Sequence, residues 1–338
     1  MKKILVTGGI GYIGSHTVVE LYNAGYEVLI VDNLSNSNIR ILDQLYKITG
    51  KRHEFVELDL QDSRAVDEFA KNNQDINGII HFAAYKAVGE SVEQPLKYYK
   101  NNFYSLINLL VAYPQTNFVF SSSCTVYGQP DTLPVTEHNP VKKAESPYGN
   151  TKQIAEEILV ETAKATKGLN VIALRYFNPV GAHASALIGE LPNGVPQNLV
   201  PFITQSAIGK RGPIKVFGDD YNTPDGSAIR DYIHVVDLAK AHVAAIKRLE
   251  EGKVEGYDVF NLGTGKGSSV LEIINAFEQS TGEKLNYQIA PRREGDIEKI
   301  YGDVTKSKQV LGWQTELDLN EMMASAWRWE KYLKENPF

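Results

Sequence analysis

Cysteine is nearly missing from this chain. Cys124 stands alone among 338 residues, so no intrachain disulfide can form, and the sequence reads as one suited to a reducing, cytoplasmic compartment. No apolar run approaches the roughly 18 residues of a membrane span. Lys2-Lys3 followed by Ile4-Leu5-Val6 superficially resembles a signal peptide, but the run stops at Thr7. Positive charge is also in deficit. With 35 Lys and Arg against 41 Asp and Glu, the net charge is −6, which gives no general basic footprint for nucleic acid or an anionic membrane. The 7 histidines show no paired metal spacing, so no metal is expected. Internal repeats, low-complexity tracts and charged tails are absent as well.

What is present suffices for a large core. The chain is 43% hydrophobic and 22% charged, and it exceeds the length at which one core usually divides. Short apolar strands alternate with amphipathic helices. The pattern predicts strands at Lys3 to Val6, Tyr26 to Val31, His53 to Leu58, Ile76 to Ala84, Asn117 to Ser122 and Leu169 to Tyr176, with helical stretches such as Ser63 to Asn72 and Gln94 to Ala112 between them. Near-continuous apolar strands separated by helices predict an α/β fold, a Rossmann-type doubly wound parallel sheet over residues 1–177. From about Asn178 the texture changes to Pro-, Gly- and Asn-rich loops. That change predicts a smaller C-terminal α/β substrate domain over 178–338, with segments near 230–265 returning to the first.

The first strand runs directly into Thr7-Gly8-Gly9-Ile10-Gly11-Tyr12-Ile13-Gly14. Glycines at 8, 11 and 14 match a dinucleotide turn: one permits the tight bend, one lets backbone approach the pyrophosphate, and one lets helix close on sheet. The second strand delivers Asp32, where an acid accepts hydrogen bonds from ribose hydroxyls and repels a 2′-phosphate. No arginine precedes Arg40. NAD is therefore expected rather than NADP.

Tyr148 and Lys152 stand four apart at the start of a helical stretch, downstream of Ser121-Ser122-Ser123. On a helix, i and i+4 share a face, so the ammonium can sit beside the phenol. Lowering a phenol by about three units requires roughly 4 kcal/mol. A cation about 4 Å away at an effective dielectric near 20 supplies about that amount. Tyr148 is thus a candidate base, Lys152 its activator, and Ser123 a donor to the same substrate oxygen.

Two motifs invite other readings. Gly263-Thr264-Gly265-Lys266-Gly267-Ser268 superficially matches a P-loop, but Phe260 and Asn261 stand where its first glycine belongs. A strand-to-helix turn capped by Ser268 or Ser269 is the better expectation. Cys124 beside Ser123 suggests a nucleophile, although a free cysteine without a neighbouring histidine more often packs as a small apolar residue.

Taken together, Thr7 to Gly14, Ser121 to Gly128, Tyr148 to Lys152, Arg175 to His183, Arg230-Asp231-Tyr232-Ile233-His234 and Pro291 to Asp296 resemble the UDP-glucose 4-epimerase family of extended short-chain dehydrogenases/reductases. The likeness runs in order along essentially the whole chain. It implies reversible inversion at C4 of UDP-galactose and UDP-glucose through a 4-keto intermediate, with tightly held NAD and a homodimer built on helices including Gln94 to Ala112 and Tyr148 to Lys167. By the same resemblance Gly8, Gly11, Tyr12, Ile13, Gly14, Asp32, Asn33, Asn36, Ser37, Asp59, Leu60, Phe82, Lys86, Asn101, Ser123, Tyr148, Lys152, Tyr176 and Phe177 contact NAD. Asn178, Asn198, Leu199, Phe217, Arg230, Tyr232, Arg293 and Asp296 contact the UDP-sugar with Ser123, and Arg230 and Arg293 meet the diphosphate.

Two positions depart from the family pattern. Cys124 replaces a common alanine. Ile300 stands where relatives carry a bulky tyrosine that excludes N-acetyl sugars or a small residue that admits them, so UDP-N-acetylhexosamine 4-epimerase activity is an alternative. Other NAD-dependent nucleotide-sugar epimerases, dehydratases and decarboxylases share the fold; a 4,6-dehydratase needs an Asp-Glu pair after Thr125, where this chain has Val126-Tyr127. A noncatalytic NAD-binding module is the remaining alternative, and it has no use for Ser123, Tyr148 and Lys152 together.

Overall fold

The computed structural model describes residues 1–293 and 296–338; Glu294 and Gly295 of the Pro291 to Asp296 motif lie outside the described residues. The first half is a strict alternation: β1 (Lys3–Thr7), α1 (Tyr12–Asn23), β2 (Glu27–Asp32), α2 (Ile41–Thr49), β3 (Glu54–Glu57), α3 (Ser63–Asn72) and β4 (Ile76–His81). It continues through α4 (Val88–Glu93), α5 (Pro95–Ala112), β5 (Asn117–Ser123), α6 (Pro147–Ala165) and β6 (Asn170–Tyr176). The second half holds β7 (Asn178–Val180), α7 (Leu199–Ala207), β8 (Ile214–Phe217), β9 (Ile229–His234), α8 (Val235–Glu250), β10 (Tyr257–Leu262) and β11 (Gly267–Ser269). It closes with α9 (Val270–Thr281), β12 (Tyr287–Ala290), β13 (Lys299–Ile300) and α10 (Leu319–Glu335).

Seven strands form one parallel sheet in the order β10-β6-β5-β4-β1-β2-β3. The order reverses between β1 and β4, the switch point outside whose strand ends an open α/β sheet binds its ligands. Both faces are covered. One apolar layer gathers Ile4, Val6, Val18, Ile30 and Ile246, and the other gathers Leu5, Leu29, Ile79, Leu109 and Leu159. Alternation along β1 sends Ile4 and Val6 one way and Leu5 the other, which is why the run reads as uninterrupted hydrophobicity.

The second half contributes two small sheets. β11, β9 and β13 pair in that order with β7 added to β9, and β12 pairs with β8. Of the stretch 230–265, β10 lies beside β6 in the large sheet, and Ile246 of α8 joins the core on the face that carries α1. β9 does not return; it is the centre of the small sheet, because its short segment finds β7, β11 and β13 as partners. The segment from Gly263 to Lys266 turns into the short strand β11, and Ser269 at its end caps α9 reciprocally with Glu272, the two bonds being 3.0 and 2.7 Å.

Candidate active site

Many of the residues expected to meet the cofactor follow the carboxyl ends of β1, β2, β3, β4, β5 and β6, and Asn101, Tyr148 and Lys152 come from α5 and α6. Gly8 leaves β1 with a φ of +68° and donates to Val31 O at 2.7 Å. That backbone state, together with a Cβ that would lie 2.9 Å from Ala83 N, restricts the position to glycine. Gly14, in the first turn of α1, is tighter. A Cβ there would lie 2.2 Å from Gly8 O, so helix and turn touch only because no side chain intervenes. Gly11 caps α1 without a side-chain bond, and no acidic residue stands in the first turn. The helix N-terminus therefore keeps its N–H groups and positive end for a phosphate.

Asp32 ends β2, buried, its Oδ1 accepting from Ser37 Oγ at 2.7 Å and Leu34 N at 3.0 Å. Burial raises its pKa, and these donors oppose the rise. Asn33 and Asn36 lie in the same loop, with Asn33 Oδ1 accepting from Ser35 N at 3.1 Å. Asp59 and Leu60 follow β3, Asp59 turning onto Gln61 N at 3.0 Å. Phe82 continues the line of β4, donating its N–H to Thr7 O at 3.0 Å. Ile13 is half-buried beside Tyr12, whose hydroxyl donates to Gly181 O at 2.7 Å and ties α1 to the second half.

The candidate base and its partners come from two elements. Ser146 caps α6 by accepting from Gly149 N at 3.1 Å, and Pro147 occupies the first turn. Tyr148 is thereby placed at the head of the helix, its own N–H donating to Ser91 Oγ at 3.2 Å. Ser123 ends β5, and its hydroxyl, which accepts from Thr125 N at 3.3 Å, favours the ionised form of the phenol. Lys152 is buried one turn further along α6. Its Nζ donates to Ser121 O at 2.6 Å and lies 5.9 Å from the centre of the Tyr148 ring and 4.7 Å from that of Phe120. The strand carbonyl uses one of the ammonium's three donors and leaves the charge beside the phenol ring.

The titration order follows. Burial pushes Tyr148 up to about 12, with Ser123 opposing. Burial pulls Lys152 down to about 8. In that order of titration Tyr148 needs positive potential beyond that of Lys152 to ionise near neutrality. Behind the pair, Tyr176 bonds Ser121 through their hydroxyls, Phe177 is buried, and Asn101 Nδ2 donates to Asn102 Oδ1 at 2.9 Å.

The substrate candidates converge from the second half. Arg293 donates to Asp296 through Nε at 2.9 Å and covers the Phe217 ring at 4.6 Å. Arg230 Nη2 lies 3.9 Å from the same Asp296. Two guanidiniums facing one carboxylate leave a surplus of positive charge. Tyr232 is buried two residues along β9, where it pairs in register with Asn178. Ile300 pairs with Arg230 and packs into a buried cluster with Cys124, Val126, Tyr127, Val135 and Phe177. Cys124 is a packed thiol pushed up to about 12 by burial, not an activated nucleophile.

Asn198 and Leu199 open α7, and here the sequence reading missed a residue. Glu190 Oε1 accepts from Asn198 Nδ2 at 2.7 Å and from Lys86 Nζ at 3.4 Å, joining a candidate of each half. Nothing local marks Glu190, since its partners lie far away in sequence. Glu156, buried four residues beyond Lys152, was also missed, although its helical spacing from Tyr148 and Lys152 was a usable signal.

The GDP-mannose 4,6 dehydratase family model matches residues 5–326. A UDP-glucose 4-epimerase of Bacillus subtilis is 51% identical over 331 residues, 97% of this chain and 96% of that protein. The chain belongs to the UDP-glucose 4-epimerase family. Among solved structures, the Stenotrophomonas maltophila UDP-glucose 4-epimerase, with bound NAD and formylated UDP-arabinopyranose, is 45% identical with a TM-score of 0.95, and 99% of each chain is covered. The Bifidobacterium longum UDP-glucose 4-epimerase, in complex with NAD+ and UDP, is 47% identical with a TM-score of 0.92, again covering 99% of each. The family's extended short-chain dehydrogenase/reductase architecture is the seven-stranded parallel sheet described above.

Proposed function

We propose that this chain interconverts UDP-galactose and UDP-glucose by inverting C4 through a transient 4-keto sugar, using NAD held at the glycine turn. One observation supports the reading: Ser123, whose hydroxyl favours ionisation of the Tyr148 phenol, ends β5 in the same parallel sheet whose β1 runs into the glycine turn, and the Arg230 charge is felt at Cys124 beside it. A uridine diphosphate anchored by Arg230 and Arg293 presents its hexose toward the phenol. The fit to NAD rests on the uncapped α1 N-terminus, the Gly14 contact that admits no side chain, and Asp32. Arg40, the nearest arginine after Asp32, is committed elsewhere: its Nη1 donates to Pro337 O at 2.8 Å and it covers the Phe338 ring. That agrees with NAD over NADP.

NAD, when bound, takes up the C4 hydride and returns it. Tyr148 accepts the O4 proton as that hydride departs and restores it after the ketone has presented its other face. Ser123 donates to the same oxygen and holds it during the exchange. Lys152 supplies positive potential and, through Ser121, fixes the helix to the strand end. Arg230, Arg293 and Asn178 bind the nucleotide half, so the sugar remains free to turn. No net oxidation results.

A dehydratase reading fails on the residues that follow Thr125, since Val126 and Tyr127 are fully buried in place of an acid pair. A second reading concerns N-acetyl sugars. Ile300 is only 3% exposed, and its medium-sized branched side chain sets the room beside the hexose. We also read the protein as a cytoplasmic homodimer. Leu96, Tyr104, Ile107 and Val111 expose a line of large apolar groups on α5, with Val160 on α6, and such a stripe fits a second copy of itself. The decisive assay supplies UDP-galactose to purified protein without added NAD and looks for UDP-glucose; folded, NAD-loaded protein that makes none sinks the reading.

A further inference from the structure

Glu156 follows Lys152 by one helical turn on the same face of α6, and it is 6% exposed. A carboxylate so deeply placed is costly unless its oxygens are satisfied. Three strands satisfy them. Ser122 on β5 donates to Oε1, Arg175 on β6 donates through Nε at 2.9 and 3.2 Å and through Nη2, and Tyr257 on β10 donates to Oε2 at 3.1 Å. Arg175 Nη1 continues to the Tyr127 hydroxyl at 3.1 Å, which donates to Asn261 Oδ1 at 2.6 Å.

The residues beside this clamp give it a catalytic bearing. Ser122 stands between Ser121, whose carbonyl holds Lys152, and Ser123, which faces Tyr148. One carboxylate therefore sets the register between the helix bearing Tyr148 and Lys152 and the strand end bearing Ser123. The groups that face Lys152 from other elements bring no compensating negative charge. β4 presents His81, which burial keeps neutral down to about 3; β5 presents Phe120 and the Ser121 carbonyl; β6 presents Tyr176, bonded to Ser121. On its own helix Lys152 faces Tyr148 and Glu156, and Glu156 opposes the burial that pulls the ammonium down to about 8.

On the epimerase reading above, we propose that Glu156 is a positioning residue of the reaction, locking Lys152, Tyr148 and Ser123 into one geometry through Ser122 and Arg175 while its charge faces the Lys152 ammonium. It touches neither substrate nor cofactor and acts through its neighbours. Glu156→Gln keeps the size and an acceptor for Ser122 but removes the charge. In the NAD-loaded enzyme the expected result is a kcat for UDP-galactose reduced about tenfold at neutral pH. The alkaline limb of the kcat profile should move down by about one pH unit, with KM and NAD content near those of the unaltered protein. Glu156→Asp, which retains charge, should restore the limb and much of the rate.

An unmoved alkaline limb overturns the proposal. So does a uniform loss of rate and NAD content, which a purely structural role would give. If Glu156→Gln fails to accumulate as folded protein, the pair Glu156→Gln with Arg175→Gln is compared with Arg175→Gln alone, so that the limb again reports the loss of the Glu156 charge. An unaltered protein that leaves UDP-galactose unconverted removes the epimerase reading and this proposal with it. An active one with an unmoved limb in the variants removes only the proposal.

Discussion

Tyr148 should change its titration by about five units when NAD binds, and the size of that change can be worked from the site. Without a cofactor the phenol is pushed up to about 12, and Lys152 gives up its own proton near 8. As pH rises the lysine is neutral before the tyrosine ionises, so the two titrate in the wrong order for catalysis. A charged Lys152 at 5.9 Å from the ring centre offers about 3 kcal/mol at an effective dielectric near 20. That is about two units. The nicotinamide ring of NAD+ would supply a second cation, and one held about 4 Å from the phenol would add roughly 4 kcal/mol, or about three units more. Together they bring the phenol from about 12 to about 7, where a reversible base works best.

The measurement is an ultraviolet difference titration of tyrosinate. The chain has 18 tyrosines, so only the unaltered protein minus Tyr148→Phe isolates the one of interest. NAD-loaded protein should show a single extra step near neutrality, and protein stripped of NAD should show it only in strong alkali. A neutral step in the stripped protein would mean that Lys152 suffices alone, and its absence from the loaded protein would remove the phenol as base. Tyr148→Phe should also lose about three orders of magnitude in kcat.

Gly14→Ala should abolish NAD retention, since its Cβ would fall 2.2 Å from Gly8 O; cofactor released on denaturing the purified variant reports this. Arg230→Met removes charge-assisted bonds worth about 1.5–3 kcal/mol and should raise the KM for UDP-galactose about tenfold or more, with kcat changed little; an effect on kcat alone would place Arg230 elsewhere. Ile300→Ser should raise the rate with UDP-N-acetylgalactosamine relative to UDP-galactose, and Ile300→Tyr should lower it. An unchanged ratio in both variants would show that Ile300 does not gate the sugar. Leu96→Glu combined with Val111→Glu should convert a dimer to monomer in analytical ultracentrifugation, and an unchanged mass would move the interface off α5.

The large sheet was legible because its central strands β1 and β2 bury both faces and so run through Val, Ile and Leu with few polar breaks, and helical stretches separate the strands. Its limits were less so. The apolar run Ile76 to Ala84 ends as strand at His81, where Phe82 still bonds to Thr7 but Ala83 must turn aside to pack against Gly8. The small sheet escaped notice because β7, β11 and β13 are three residues or fewer, too short to show a period. At the site, spacing put Tyr148 and Lys152 on one helix face but did not reveal the ammonium's partner. A main-chain carbonyl carries no sequence signature, and Ser121 O is one. Glu190 was hidden for a related reason: Lys86 and Asn198 become neighbours only through it.

The return of the chain to lay β10 against β6 has a practical corollary. A gene fragment stopping at 177 would lack the outermost strand and would leave the backbone edge of β6 bare, along with the surface that α8 now shields. Such a fragment is expected to aggregate rather than to persist as a small cofactor carrier. Any chimera meant to borrow a new sugar preference must therefore splice in two inserts around a retained middle piece, and not exchange a single tail.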